Sequence, residues 1–126
     1  MPFNPLAVLL AVIASCALGA LWYSPALFRR QWIRAARRKP RQNPLVYTLT
    51  ILSATLSATV FALWLGPRPT LGSALLHGVC AGMAFSAASV GVNYAFAGRG
   101  IILWLIDDGF HVARFTLFGL VLGLLH

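Results

Sequence analysis

Four long apolar stretches divide the chain, and short polar connections separate them. The stretches cover residues 5–28, 44–65, 71–97 and 101–125. Each is long enough to provide the roughly 20 apolar residues that a helix needs to cross the hydrocarbon core of a bilayer. The pattern therefore predicts an all-α protein, a four-helix transmembrane bundle that forms one integral membrane domain over residues 1–126.

The composition leads to the same class of protein. Hydrophobic residues make up 60% of the chain and charged residues 10%, whereas soluble domains usually carry about 25% charged residues. The connections at 66–70 and 97–100 leave no room for a soluble domain. The opening MPFNP lacks the positive charges of a signal peptide, so we expect the first stretch to remain as a helix.

Two cysteines lie inside predicted helices and have no CxxC spacing. IASC at 13–16 resembles a lipobox, but the residues after Cys16 stay apolar. This favours a packing role for Cys16 over lipidation. Cys80 is likewise expected to pack, so we predict neither a disulfide framework nor a zinc site.

Basic residues are concentrated between the first and second stretches. Seven of the ten Lys and Arg residues lie there. By the positive-inside rule the loop at 29–43 is cytoplasmic and both termini are periplasmic, in a bacterial inner membrane. Arg68, on the other side, is an exception to this rule.

The same loop is predicted to form a basic interfacial segment. Phe28, Trp32, Ile33, Ala35 and Ala36 can share one face of a short helix that lies on the membrane surface. Its opposite face would bind anionic lipid headgroups through Arg29, Arg30, Arg34, Arg37, Arg38, Lys39 and Arg41. Nucleic-acid binding is the less favoured alternative, because topology and lipid contact already account for this charge.

The two acidic residues of the chain, Asp107 and Asp108, stand together in the fourth stretch. Helical spacing puts Asp107, His111 and Arg114 on one face, with Asp108 three residues before His111. At about 1.5 Å per residue, both carboxylates lie about 9 Å to the cytoplasmic side of the midplane. Other polar residues reach the same depth, and they complete a predicted polar cluster of Trp22, Tyr23, Ser24, Asn93, Asp107, Asp108, His111 and Arg114. His77 is predicted to lie on the outer side, away from it.

Two roles for this cluster stay open. An Asp–His–Arg network of hydrogen bonds would fix helix packing and subunit contacts. The same groups would relay protons or ions, because ionisable residues inside a membrane often do so and His titrates near neutral pH. A metal site at Asp107 and His111 lacks a recognisable third ligand, so we predict no metal and no cofactor.

Small residues mark two of the predicted helices. The third stretch contains Gly78-x-x-x-Gly82, and the fourth contains Gly119 and Gly123. Such spacing lets helix backbones approach closely, within one chain or between subunits. We therefore predict helix packing at these four glycines.

Several segments together resemble one known family. They are GALWYSP at 19–25, NYAFAGRG at 93–100, LWLIDDGFH at 103–111 and FGLVLGL at 118–124. They resemble the small bacterial multi-pass membrane proteins known as domain of unknown function 1761. The resemblance implies that the WYSP and DDGFH segments belong together, and it carries no assigned activity.

The sequence favours a structural or accessory subunit of a membrane assembly, with other membrane subunits or further copies of itself as partners. No set of nucleophile, base and orienting group and no phosphate loop is recognisable, so we do not expect an enzyme. The alternative is a proton-linked channel or transporter for a small solute or ion, acting as a homo-oligomer.

Overall fold

The computed structural model describes residues 2–126 and is all-helical over that range, which confirms the predicted all-α class. Its helices are α1 at Pro5–Trp22, α2 at Arg29–Ala36, α3 at Pro44–Leu65, α4 at Leu71–Phe96 and α5 at Ile101–Leu124. Within α4, α-helical Leu71–Cys80 and Ala88–Phe96 flank a π-helical segment, Ala81–Ala87. Helices α1, α3 and α4 are long and apolar enough to cross a membrane, which indicates a membrane protein.

Side chains cap the first turns of these three long helices. Asn4 accepts a hydrogen bond from the backbone N–H of Leu6 at 3.0 Å, and Asn43 accepts one from Val46 at 3.0 Å. Thr70 does the same for the N–H of Ser73 at 3.2 Å. Proline follows Asn4 and Asn43, at a position where a helix needs no N–H donor. Each of these helices therefore begins where its apolar stretch begins.

The predicted end of the first helix, at Phe28, is wrong. Helix α1 ends at Trp22, and a turn closes with hydrogen bonds from Leu27 N–H to Ser24 O at 3.0 Å and from Phe28 N–H to Trp22 O at 3.1 Å. Pro25 lacks an N–H donor and disfavours helical geometry at the residue before it, so the helix cannot continue. The chain becomes helical again only in α2. The other predicted ends differ from the observed ones by no more than one residue.

Helices α1 and α5 run antiparallel, and they separate the connections into two ends. At one end, the Asn4 amide donates to the backbone oxygen of Leu125 at 3.2 Å. A small crevice at the same end is lined by residues of both termini and of the α3–α4 connection. The opposite end carries α2 and the turn between α4 and α5. Seven basic residues of segment 29–41 together with Arg99 put eight of the ten cations at this second end.

The core is built mainly from small side chains, and the larger apolar ones point outward. Ala11, Ala54 and Ala58 are almost fully buried between α1 and α3, beside the buried ring of Phe118 from α5. By contrast, 28 large apolar side chains among residues 2–126 are exposed, including Phe96. Close packing inside and apolar side chains outside suit a protein surrounded by lipid.

The closest approach between helices is that of α4 and α5, and all four predicted packing glycines lie in it. A Cβ on Gly82 would lie 2.5 Å from the Cα of Val112, and one on Gly123 would lie 3.1 Å from the Cα of Leu71. Added Cβ atoms on Gly78 and Gly119 would collide with the backbone of the facing helix. Both helices therefore require glycine for this contact.

We predict that Gly82→Ala lowers the free energy of unfolding by about 1–3 kcal/mol, because the added methyl group forces the two backbones apart. The matched control is Gly72→Ala, in the same helix, where an added Cβ meets nothing within 4 Å. That change should be neutral or stabilising, since alanine favours the helix. Unfolding in detergent micelles by titration with dodecyl sulfate measures both. Equal effects of the two changes would contradict the close contact.

Candidate functional site

The carboxylate of Asp107 accepts three hydrogen bonds from three different parts of the chain. The Tyr23 hydroxyl, in the turn after α1, donates to Oδ1 at 2.8 Å, and the Trp32 indole of α2 donates to the same oxygen at 2.9 Å. The hydroxyl of Tyr94, near the end of α4, donates to Oδ2. We call these four residues the Asp107 clamp. Because Asp107 itself belongs to α5, the clamp ties together four helices or their ends.

All three donors of the clamp are neutral groups. Hydrogen bonds to an ionised acceptor are shorter and stronger than those between neutral partners. Inside an apolar protein, they also offset the loss of hydration that a buried carboxylate suffers. The clamp thus accommodates one negative charge without using a basic side chain.

Aromatic packing supports the clamp from the α1 side. The Trp22 indole donates to the backbone oxygen of Ile106 at 2.9 Å, and its ring centroid lies 4.8 Å from that of Phe28. A Cβ on Gly109 would lie 3.2 Å from Cζ2 of Trp22, so the absence of a side chain there makes room for the indole. The Tyr23 ring meets the Phe110 ring edge-on at 5.6 Å. The WYS and DDGF segments therefore form one contact.

Asp108, the neighbour of Asp107, lies in a different environment. It is 2% exposed, and within residues 2–126 neither carboxylate oxygen has a hydrogen-bond partner. Four residues before it, the Trp104 indole donates to the backbone oxygen of Ala87 at 3.1 Å, and four residues after it, Val112 packs on Gly82. Since residues four apart share a helix face, Asp108 faces the π-helical segment of α4. Such segments occur often at functional sites.

The predicted Asp–His–Arg network is not formed by hydrogen bonds among the described residues. Nδ1 of His111 and Nε of Arg114 are buried without partners there. The reason is that the Asp107 oxygens turn toward Tyr23, Trp32 and Tyr94 on other elements. The Arg114 guanidinium instead lies over aromatic rings, with its carbon 5.1 Å from the centre of Phe115 and 5.7 Å from that of Phe118.

The remaining predicted members of the cluster lie apart from the clamp. The Ser24 hydroxyl donates to the backbone oxygen of Leu21 in its own turn at 2.6 Å, and Asn93 is exposed. His77, which the sequence places outside the cluster, lies away from Asp107. Its ring centroid is 4.6 Å from that of Trp64, and its Nδ1 is 2.8 Å from the backbone oxygen of Ser73. In the part of the chain that the structure describes, no group of three His, Cys, Asp or Glu side chains is arranged to hold a metal ion.

Two clamp residues, Trp32 and Tyr94, were missing from the predicted cluster. The sequence predicts Trp32 on the apolar face of an interfacial helix, where nothing in the sequence distinguishes a lipid contact from a protein contact. Tyr94 follows Asn93 directly and lies at the predicted depth of the cluster. The signal for Tyr94 was therefore present, whereas the signal for Trp32 was ambiguous.

The substitutions Asp107→Asn and Asp108→Asn should differ in their effect on the free energy of unfolding. Asp107→Asn replaces one carboxylate oxygen by an NH2 group, which cannot accept a hydrogen bond, so we expect a loss of about 2–3 kcal/mol in the free energy of unfolding. Asp108→Asn is the matched control, and it should be neutral or stabilising because it replaces a buried carboxyl group that has no hydrogen-bond partner among residues 2–126. Titration with dodecyl sulfate, followed by circular dichroism, measures both. A larger loss for Asp108→Asn would contradict the clamp.

Comparison with known proteins gives a family but no activity. No curated protein and no solved structure matches the chain. The model of one family, described as a protein of unknown function (DUF1761), matches residues 6–123, which includes the whole clamp and the α4–α5 contact. The chain therefore belongs to the DUF1761 family.

Proposed function

We propose that this protein is a structural or accessory subunit of an assembly in the bacterial inner membrane. The observation that carries the proposal is the Asp107 clamp, in which one charge is used to hold four parts of the chain together. A carboxylate engaged by three donors is suited to fixing helix positions. In this proposal the clamp fixes the packing of the helices, which the sequence analysis expected of an Asp–His–Arg network.

In this proposal α5 is the fourth membrane crossing, and the fold is a four-helix transmembrane bundle in a single domain. Helix α5 has 24 residues, enough to span the core. Its carboxylates are turned into the protein, with Asp107 in the clamp and Asp108 buried. Charged side chains that face inward are compatible with a membrane helix.

Helix α2 then lies at the cytoplasmic surface, with both termini in the periplasm. The eight cations at the α2 end support this orientation under the positive-inside rule. Trp32 and the buried Ala36 attach one side of α2 to the bundle, while Arg30 and Arg34 are exposed on it. These exposed arginines and their neighbours are free to meet anionic headgroups.

A structural role is favoured over an enzymatic one by the state of the polar groups. The acid with the most polar neighbours, Asp107, already accepts from three donors and is poorly placed to exchange a proton with a substrate. We accordingly propose no catalytic role and no nucleic-acid partner.

The test is native mass spectrometry of the tagged protein, extracted from its own membranes in mild detergent. We expect a larger membrane protein to co-purify in a fixed ratio, and Asp107→Asn to lower the yield of that assembly. Asp108→Asn is the control and should leave the yield unchanged. A homo-oligomer without other chains would contradict the accessory role and favour transport.

A proton-linked channel or transporter is the second candidate. A specific observation favours it: Asp108, His111 and Arg114, spaced three residues apart along α5, carry buried atoms that have no hydrogen-bond partner in the described part of the chain. Buried ionisable groups without partners in a membrane helix commonly mark a path for protons or ions. Transport would require further copies of the chain to line such a path.

Flux in proteoliposomes separates this candidate from the first. If the protein transports protons, a pH gradient should collapse faster in vesicles that contain it than in empty vesicles. Asp108→Asn should return the rate to that of empty vesicles without loss of folded protein, because it removes a protonatable group but no hydrogen bond. A rate equal to that of empty vesicles, or one insensitive to Asp108→Asn, excludes this role.

A further inference from the structure

A lateral groove separates α3 from α4, and α5 forms its floor. Its volume is about 770 Å³, within the range of about 300–1,000 Å³ that is usual for binding sites. Its walls are mostly apolar, and its lining includes Leu56, Val60 and Trp64 of α3, Phe85 of α4, and Arg114 and Phe115 of α5. Leu56, Val60 and Phe85 are more than half exposed, so the groove opens to the side of the protein.

The polar residues of the groove all lie near the middle of their helices. Arg114 is one to two residues beyond the midpoint of α5, or about 2 Å along its axis. Ser57 and Ser86 also line the groove, and each lies within three residues of the midpoint of its helix, or about 4 Å. In a membrane orientation these three residues form a polar layer close to the bilayer midplane.

Arg114 has no anionic partner among the described residues. Its Nε is buried without a hydrogen-bond partner among residues 2–126, and its guanidinium carbon lies 5.1 Å and 5.7 Å from the centres of the Phe115 and Phe118 rings. Cation–π contacts compensate only part of the loss of hydration of a guanidinium group. Asp107 accepts its hydrogen bonds in the clamp, and Asp108 is buried facing α4, so neither acidic side chain pairs with Arg114. The arginine that lines the groove is therefore complementary to a negative charge from outside.

We propose that this groove binds a transmembrane helix of a partner protein that carries an Asp or Glu near its midpoint. The carboxylate would pair with Arg114, while apolar side chains on the same face of the partner helix pack along α3 and α4. The groove follows α3 from Leu56 to Trp64, about 12 Å, which matches side chains at positions i, i+4 and i+8 of a helix. This inference rests on the proposed accessory role and identifies the kind of partner that it implies.

Depth favours a helix over a lipid as the occupant. A phospholipid keeps its charged group at the membrane surface, about 15 Å from the midplane, whereas a helix can carry a carboxylate at any depth. A second copy of this chain does not fit either, because its Asp107 and Asp108 are held inside the protein. We therefore expect the groove to bind a helix of a different protein.

The test uses the full chain in lipid vesicles and a synthetic Leu–Ala helix of about 20 residues with one central Glu. A matched peptide has Gln at the centre. Association is followed by energy transfer between a dye on the peptide and a dye on an added tag of the protein. We expect the Glu peptide to bind about tenfold more tightly than the Gln peptide. Arg114→Gln should abolish this difference, and Arg114→Lys should restore part of it.

A second variant tests the groove without removing the charge. Val60→Trp fills the groove and should weaken binding of the Glu peptide, whereas Leu52→Trp should not. Both residues are exposed on α3, at 55% and 61%, but only Val60 lines the groove. Binding that is unchanged by Val60→Trp overturns the proposal, as does equal binding of the Glu and Gln peptides. Oleate that binds in an Arg114-dependent way when the Glu peptide does not would also overturn it, in favour of an amphiphile.

The peptide-binding test of the groove and the mass-spectrometry test of the accessory role can fail independently. Because the peptide assay requires no natural partner, the groove can bind the Glu peptide even if native mass spectrometry finds no other chain, which would overturn only the accessory role. Conversely, a co-purifying partner together with a groove that does not distinguish Glu from Gln would overturn only the groove proposal.

Discussion

The hydrogen bonds to the Asp107 carboxylate set the arrangement of the end of the molecule that carries most of its positive charge. Burying an ionised carboxylate among apolar side chains is unfavourable, and hydrogen-bond donors around it offset that cost. Here the donors come from the turn after α1, from α2 and from α4, so satisfying one charge fixes the relative positions of three elements and α5. Pro25 ends α1 early, and the turn that follows Trp22 is where the Tyr23 hydroxyl reaches the carboxylate.

The clamp acts together with the close contact between α4 and α5. The glycine contact brings together the backbones of the first half of α4 and the second half of α5, whereas the clamp acts near the end of α4 and draws in α1 and α2. Packing between small residues supplies van der Waals contact in an environment where the hydrophobic effect contributes little. The polar clamp supplies directionality that such packing lacks. Together they define both the distance and the register of these helices.

Most of the fold could be predicted from the sequence, because helix length and composition are local properties. Capping by Asn4, Asn43 and Thr70 fixed the starts of three helices within a residue of the apolar boundaries. The hydrogen-bond donors to Asp107, in contrast, come from other elements of the fold. Helical spacing pointed to His111, but donors from other elements reach the carboxylate instead, and spacing within one helix contains no information about them. Trp32 was missed for a related reason, since an apolar helix face does not reveal what covers it.

Asp107 and Asp108 are neighbours in the sequence, but their carboxyl groups have different surroundings and different roles. Successive residues of a helix point about 100° apart, so Asp107 turns toward α1 and α2 while Asp108 turns toward the π-helical segment of α4. The first carboxylate is fully engaged in holding the fold. The second, together with His111 and Arg114, retains buried polar atoms that no described residue satisfies. Such groups are unfavourable inside a protein, and buried ionisable groups in membrane helices commonly mark functional positions. Function is therefore expected on the faces of Asp108 and Arg114, and the clamp keeps those faces in place.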